Sequence, residues 1–472
     1  MSGYPGTPSL DTIVGCVIYA TTPPTGTFET SHPLVNRLYR NIRWTQRGNF
    51  MSVPTDCPQR DERLGWPGDA QIFARTANYT YDVAAFFAKW MVDIADAQDP
   101  SGAFTDVAPA VKGFGQGNHF FADAGIIVPW TLYQVYGDTR IIEEHYEAMS
   151  RWVAYMVERS VDCVRSGGYG DWLSIDAETP KDLVATAFFA YTCHLLARMD
   201  AVIGRWEDAR AYDDLHTRVR EAFNRAFVVA DGRVAGHTQT GYALALALEL
   251  LPPEKRSDAA RHLVEDIRAR NWHVSTGFAG VSFLLPALTE CGYVEDAYRL
   301  LVQDTFPSWG YPMRHGATTI WERWDGWTED KGFQDPAMNS FNHFALGSVG
   351  EWLFRYVAGI DVDPERPGYK HVIRPHPGGG LTYAGACFQS AHGTVVAAWR
   401  MEDGALTVEV VIPANTTATV SIPASDPIGV TESGRTVDEA QGVEFVRMEH
   451  GRAVLAVQSG TYAFVSGLAM GS

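Results

Sequence analysis

Acidic, basic and aromatic residues are concentrated in one segment, Ser52 to Asp69, which reads SVPTDCPQRDERLGWPGD. Three prolines and two glycines interrupt it, and because these residues disfavour a helix, we expect a rigid loop rather than a charged helix face. Carboxylates accept protons from hydroxyl groups, and an indole stacks on the apolar face of a sugar ring. The segment therefore indicates a site for a polyhydroxylated ligand, with an ion-paired loop that only ties helices together as the alternative. Its charged members and tryptophan are Asp56, Arg60, Asp61, Glu62, Arg63, Trp66 and Asp69.

A second cluster, Thr318 to Asp330, reads TTIWERWDGWTED and places Glu322 among three tryptophans. A carboxylate surrounded by indoles would be desolvated, which favours its neutral form. Glu322 is therefore a candidate functional residue. The alternative is an aromatic core from which one charged residue points outward.

Three further segments give weaker signals. His343, in NSFNH before an apolar helix, either faces a pocket or caps that helix, and YGDWLS contributes the pair Asp171 and Trp172. The glycine run GFGQG at Gly113 to Gly117 has neither a preceding strand pattern nor a GxGxxG register, so it is interpreted as a flexible loop. Cys57, beside Asp56, has no accompanying histidine base and is interpreted as a small buried residue.

Composition limits the classes of partner. With 38 basic and 56 acidic residues the net charge is −18, which disfavours nucleic acid and anionic membrane surfaces. The six cysteines form no CxxC pair and no HExxH or Walker motif occurs, so we expect reduced thiols, no metal site and no cofactor. No basic segment followed by an apolar stretch opens the chain, which predicts a cytoplasmic protein.

The chain of 472 residues is too long for one ordinary core, and its pattern changes once. From about Pro33 to Gly359 two kinds of helix alternate: amphipathic ones such as Arg140 to Glu158, and ones that are apolar nearly all round, such as Gly241 to Leu251 and Gly277 to Leu288. Helices that are apolar all round must be buried. The alternation predicts an inner ring of helices wrapped by an outer ring.

After Tyr356 short β-branched segments such as Leu406 to Ile412 predict an all-β sandwich. Thr12 to Ala20 also resembles one or two strands, which either join that sheet or belong to a β-domain absent from the chain. The predicted organisation is a short β lead-in (1–30), a helical catalytic domain (31–360) and a C-terminal β-sandwich (361–472).

The runs SVPTDCPQRDERLGWPGDAQ, ATTIWERWDGW and NSFNHFALGSVGEWL closely resemble bacterial α-L-rhamnosidases of glycoside hydrolase family 78. The resemblance implies a mainly α chain: an (α/α)6 barrel with its active site at one end of the inner ring, followed by an antiparallel β-sandwich. Members of the family usually carry several β-domains before the barrel, whereas only about 30 residues precede it here.

The resemblance also assigns roles. It implies that Glu62 is the general acid and Glu322 the general base of an inverting hydrolase that removes terminal α-L-rhamnose from flavonoid glycosides or oligosaccharides. Glu62 would be kept protonated by burial and by its acidic neighbours, while ionised Glu322 would activate water. The positions matching sugar-binding residues are Asp56, Arg60, Trp66, Asp69, Asp171, Trp172, Trp327 and His343.

Two other functions fit parts of the pattern. A different α/α-barrel glycosidase or a polysaccharide lyase would share the fold, but a lyase acting on uronates needs basic groups, and both main motifs are acidic. A non-catalytic sugar-binding protein would use the tryptophans alone, and the presence of both candidate glutamates argues against it.

Overall fold

The computed structural model describes residues 2–426 and 429–467, so seven residues of the predicted 361–472 domain lie outside the described residues. Up to Ala358 the described chain is mainly helical, with five short strands, and from Ile360 onward it consists mainly of strands. Within the described ranges no helix is both long and apolar enough to cross a membrane. The helices are α1 (Pro33–Asn49), α2 (Pro67–Thr80), α3 (Ala84–Asp96), α4 (Ala124–Tyr136), α5 (Arg140–Glu158), α6 (Lys181–Val202), α7 (Trp206–Phe227), α8 (Gln239–Ala247), α9 (Pro253–Ala269), α10 (Phe278–Glu290), α11 (Val294–Val302), α12 (Gly310–Arg314) and α13 (Gly350–Trp352).

The even-numbered helices α2 to α10 form the inner layer. They are buried over most of their circumference, as their nearly uniform apolar composition requires. The odd-numbered helices α5, α7 and α9 bury only one stripe and expose charged residues on the other side. The predicted alternation of buried and amphipathic helices is confirmed.

A sixth inner segment closes the ring. It consists of a 3₁₀ turn (Ala345–Val349), α13 and a π-helical stretch (Leu353–Ala358), all largely buried. This segment packs against both α10 and α2, while each of α2, α4, α6, α8 and α10 packs against the next. The inner helices therefore form a closed (α/α)6 barrel, as predicted.

The C-terminal region is a sandwich of a seven-stranded and a five-stranded sheet, with strand orders β1-β8-β9-β10-β16-β12-β13 and β14-β15-β11-β7-β6. The pairing of β11 with β7 is parallel, whereas the other pairings in both sheets are antiparallel. The strands are β1 (Gly26–Thr30), β2 (Phe50–Met51), β3 (Val53–Pro54), β4 (Trp327–Thr328), β5 (Gly332–Phe333), β6 (Ile360–Val362), β7 (Lys370–Ile373), β8 (Tyr383–Ser390), β9 (Gly393–Glu402), β10 (Ala405–Ile412), β11 (Thr417–Pro423), β12 (Val430–Glu432), β13 (Arg435–Thr436), β14 (Val443–Glu449), β15 (Arg452–Val457) and β16 (Gly460–Gly467).

The predicted strands at Thr12 to Ala20 are wrong. Apart from a short 3₁₀ turn that ends at Thr12, this stretch has no regular structure, and its β-branched residues, such as Val14 and Ile18, are exposed. β-branched composition favours a strand only where a neighbouring strand and a packed face are available. The strand of the lead-in is β1 instead, which pairs antiparallel with β8 and so joins the C-terminal sheet.

Candidate active site

A cavity of about 210 Å³ opens where the inner helices begin. Asp69 lies in the first turn of α2, and Phe278 is the first residue of α10. All the predicted site residues except Asp171 and Trp327 line this cavity. The lining residues are Asp56, Arg60, Glu62, Trp66, Asp69, Phe121, Tyr169, Trp172, Phe278, Glu322, Met338 and His343.

The loop before α2 presents the first group of these residues. Asp56 closes the loop, because its backbone N–H donates to the Leu64 carbonyl over 2.9 Å and its Oδ1 accepts from the Leu64 N–H over 2.8 Å. Gly65 lies against a second loop: its carbonyl accepts from Ala108 N, and a Cβ at Gly65 would stand 2.3 Å from Ala108 O. The loop predicted to be rigid from its prolines and glycines is therefore fixed by the Asp56–Leu64 hydrogen bonds and by the contact of Gly65 with Ala108.

Arg60 lies between the two candidate catalytic glutamates. Its Nη1 and Nη2 donate to the two carboxylate oxygens of Glu322 over 2.7 and 3.2 Å, and its Nε donates to Oε2 of Glu62 over 2.9 Å. Nη2 also reaches Asp56 over 3.2 Å. One guanidinium thus binds three carboxylates that come from two distant parts of the chain.

Glu62 is held from its other side by Trp66. The indole Nε1 donates to Oε1 of Glu62 over 2.6 Å, so both carboxylate oxygens have a protein donor. The Glu62 side chain is 24% exposed, compared with 3% for Glu322. Asp61, which sequence reasoning counted among the acidic neighbours, is fully exposed and pairs with Arg63 instead.

Glu322 and His343 are brought together by two backbone hydrogen bonds. Glu322 N donates to Ser340 O, and His343 N donates to Ile320 O, each over 2.9 Å. His343 is buried, and its Nε2 lies 2.5 Å from Oδ1 of Asp69. Because several carboxylates outweigh the effect of burial, the pKa of His343 rises to about 9.

The protonation state of Glu322 differs from the one expected of a carboxylate among indoles. Burial raises its pKa, but the positive charges of His343 and Arg60 outweigh burial and leave the pKa below the ordinary value. The three neighbouring tryptophans do not line the cavity; Trp321, for example, packs edge-on against Phe341 with ring centroids 4.8 Å apart. The ionised form of Glu322 is therefore the favoured one.

An aromatic wall faces the charged groups. Phe121 lies 5.5 Å from the Trp66 ring and 4.8 Å from the Tyr169 ring, and Tyr169 lies 5.9 Å from Trp172. Sequence reasoning missed Phe121, Tyr169, Phe278 and Met338. Only Tyr169 had a signal, because it lies beside the Asp171 and Trp172 pair.

Asp171 and Trp327 do not line the cavity. Asp171 is buried and accepts hydrogen bonds from the Thr240 hydroxyl and the backbone N–H groups of Gly277 and Gly280, so it ties α8 to the start of α10. Trp327 lies on β4, with its ring 4.8 Å from that of His315. The prediction that these two residues line the sugar pocket is not supported by their positions.

The described residues offer no cluster of metal ligands. In residues 2–426 and 429–467 no group of three or more His, Cys, Asp and Glu side chains is arranged to hold a metal ion. Within the cavity the acids are already bound by Arg60 and His343. The arrangement is suited to proton transfer by its carboxylates.

The helical domain and the C-terminal β-domain each match a known protein family. Residues 23–357 match the bacterial alpha-L-rhamnosidase six-hairpin glycosidase domain, and residues 359–436 match the bacterial alpha-L-rhamnosidase C-terminal domain. The chain belongs to the bacterial α-L-rhamnosidase family. The family resemblance of the three sequence motifs is confirmed.

Several family members are similar over nearly the whole chain. An α-L-rhamnosidase of Streptomyces avermitilis is 50% identical over 98% of this chain, and a crystal structure of a Streptomyces avermitilis α-L-rhamnosidase complexed with L-rhamnose matches with a TM-score of 0.94. The α-L-rhamnosidase structure from Dictyoglumus thermophilum is 34% identical, with a TM-score of 0.92 over 99% of this chain and 53% of that one. The chain spans 44% of the Streptomyces avermitilis relative.

Proposed function

We propose that the chain hydrolyses terminal α-L-rhamnosides with inversion at the anomeric carbon. The observation that carries this proposal is the position of Arg60, which binds Glu62 on one edge and Glu322 on another within a cavity of about 210 Å³. This volume is below that of a typical drug-sized pocket and suits one sugar ring. The same guanidinium binds both carboxyl groups, so both belong to one cavity, and the proposed inversion requires them to stand about 6.5 to 9.5 Å apart with room for a water.

The two glutamates have different roles in the proposed reaction. Glu62, on the more exposed side, donates a proton to the glycosidic oxygen as the bond to the anomeric carbon breaks. Glu322, whose pKa is lowered by His343 and Arg60 against the effect of burial, accepts a proton from the attacking water. The products are the free alcohol and rhamnose, and one water is consumed. Because this water attacks the anomeric carbon directly, no covalent intermediate forms.

The remaining cavity residues support a neutral, partly apolar sugar. Asp56 and Asp69 are positioned to accept hydrogen bonds from hydroxyl groups, and the aromatic wall of Trp66, Phe121 and Tyr169 offers an apolar surface. The lining contains four acids against Arg60 and His343, which argues against a uronate substrate of the kind a lyase would bind.

The test is a panel of p-nitrophenyl glycosides followed by proton NMR during the first minutes of reaction. We expect release from the α-L-rhamnoside and β-L-rhamnose as the first product, because water attacks from the side opposite the departing group. Activity on other glycosides but never on the α-L-rhamnoside would refute the substrate. Initial α-L-rhamnose would indicate a covalent intermediate and remove Glu322 from the role of base.

A further inference from the structure

Phe114 is an exposed aromatic side chain beside the cavity. Its ring is 42% exposed and meets the ring of Trp66 edge-on, with centroids 5.5 Å apart and planes at 82°. Trp66 lines the cavity and binds Glu62, so Phe114 extends the aromatic wall toward solvent from the side of the candidate acid. Val111, in the same loop, is also 42% exposed.

The loop that carries Phe114 is fixed by backbone hydrogen bonds. Asp106 N donates to Gly115 O over 3.0 Å, and Gly117 N donates to Phe104 O over 2.8 Å. Gly117 has a φ of 72°, and a Cβ there would lie 2.4 Å from the Tyr155 hydroxyl. The glycine run predicted to be a flexible loop therefore follows a defined path. In this conformation the side chain of Phe114 is exposed to solvent.

The direction of departure of the leaving group follows from the two glutamates. Glu322 is almost fully buried, whereas Glu62 is partly exposed, so the cavity opens on the side of Glu62. The group that receives the proton of Glu62 must lie on that side. On that side Trp66 binds Glu62, and Phe114 contacts the ring of Trp66.

We propose that Phe114 forms a subsite for the leaving group and that this subsite favours an aromatic ring. The inference rests on the proposed rhamnosidase activity. Phe114 and Val111 offer apolar surface, and Met338, which is 37% exposed and lines the cavity, offers a thioether. Aromatic and thioether groups make favourable contacts with a planar aromatic ring, which carries no hydroxyl groups that need hydrogen-bond partners.

Benzyl and methyl α-L-rhamnoside provide a matched test, because both release an alkyl alcohol and only one carries a ring. We expect Phe114→Ala to lower kcat/KM for the benzyl compound about 3- to 10-fold more than for the methyl compound, from the loss of one aromatic contact. Phe114→Trp should restore the preference. Trp206→Ala, which removes an exposed ring on the outer helix α7, is the control and should leave the ratio unchanged.

The outcomes separate the two proposals. If the wild-type protein hydrolyses none of the benzyl, methyl and p-nitrophenyl α-L-rhamnosides, the proposed function fails and this subsite fails with it. If it hydrolyses the p-nitrophenyl compound but neither alkyl compound, the activity stands and the subsite is refuted. If the wild type is active and Phe114→Ala lowers both rates equally, Phe114 only supports Trp66 and the subsite is refuted while the activity stands. An unchanged ratio in Phe114→Ala also refutes the subsite.

Discussion

The hydroxyl of Tyr169 donates a 2.8 Å hydrogen bond to Oδ2 of Asp106. Tyr169 belongs to the aromatic wall, and Asp106 is the buried residue whose backbone anchors the Phe114 loop through Gly115. This contact therefore joins a residue of the cavity to the loop that borders it. The position of the wall and the position of the loop therefore depend on the same residue, Asp106, through its carboxylate and its backbone N–H respectively.

Tyr169→Phe should lower the free energy of unfolding by about 1 to 3 kcal/mol, because it leaves the buried Asp106 carboxylate with one donor fewer. Denaturant unfolding measures the change. Tyr383→Phe is the matched control, since the Tyr383 hydroxyl makes no hydrogen bond to the described residues and its loss should change stability by less than about 0.5 kcal/mol. Equal effects of the two variants would contradict the anchoring role.

Glu62→Gln and Glu322→Gln should each lose about 10²- to 10⁴-fold in kcat while remaining folded, because each removes a positioned proton-transfer group. The two variants should differ in their response to the leaving group. Glu62→Gln should recover part of its rate on p-nitrophenyl α-L-rhamnoside, because p-nitrophenolate departs without protonation, whereas Glu322→Gln should not. A wild-type rate in Glu322→Gln would show that another group is the base.

His343→Gln should move the acidic limb of the kcat/KM profile to higher pH by about one unit. The charge of His343 lowers the pKa of Glu322, so the base needs a higher pH to ionise once that charge is lost. His315→Gln, which changes a histidine outside the cavity, is the control. An acidic limb at the wild-type pH would mean that His343 does not set the ionisation of Glu322.

The raised pKa of His343 also predicts a stability effect. The folded pKa of about 9 exceeds the ordinary value of 6.5, so the charged imidazole stabilises the fold fully below about pH 6.5, and this contribution is lost as the pH rises through 9. Thermal unfolding of the wild type and of His343→Gln should therefore converge at high pH. A constant difference between them would argue that packing alone is responsible.

Asp171→Ala should lower the free energy of unfolding by about 2 to 4 kcal/mol, since it removes the acceptor for one hydroxyl and two backbone N–H groups. Burial raises the pKa of Asp171 to about 6, so its ionisation costs stability as the pH rises from about 4 through 6, and this slope should disappear in the variant. A raised KM with unchanged stability in Asp171→Ala would instead support the original prediction that Asp171 binds the sugar.

The barrel was predictable because its signal is repeated along the chain. Buried helices must be apolar on every side and outer helices on one side only, and α4, α8 and α10 carried the first pattern clearly. The lead-in strand was misplaced because Thr12 to Ala20 and Gly26–Thr30 both have β-forming residues, and only the second has β8 beside it.

The charged half of the site was also predictable, whereas the apolar half was not. Arg60 and Glu62 lie in a loop, where a concentration of charged residues cannot be explained as the solvent-exposed face of a helix. Their concentration therefore indicated a binding site. Phe121 lies in the turn before α4 and Phe278 begins α10, and at both places an aromatic residue that faces a cavity has the same surroundings in sequence as one that faces the core. Neither composition nor periodicity records which of two adjacent residues, Asp171 or Trp172, turns toward the cavity.

The pairing of β1 with β8 constrains the order in which the protein can be assembled. Gly26 lies opposite Phe388, so the first strand of the chain meets its partner only after 388 − 26 = 362 further residues have been synthesised. At about 5 to 20 residues per second, a ribosome takes roughly 20 to 70 seconds to supply that partner. During this interval β1 remains an unpaired strand beside a growing barrel, and the seven-stranded sheet is completed only when the strands of the C-terminal sandwich emerge.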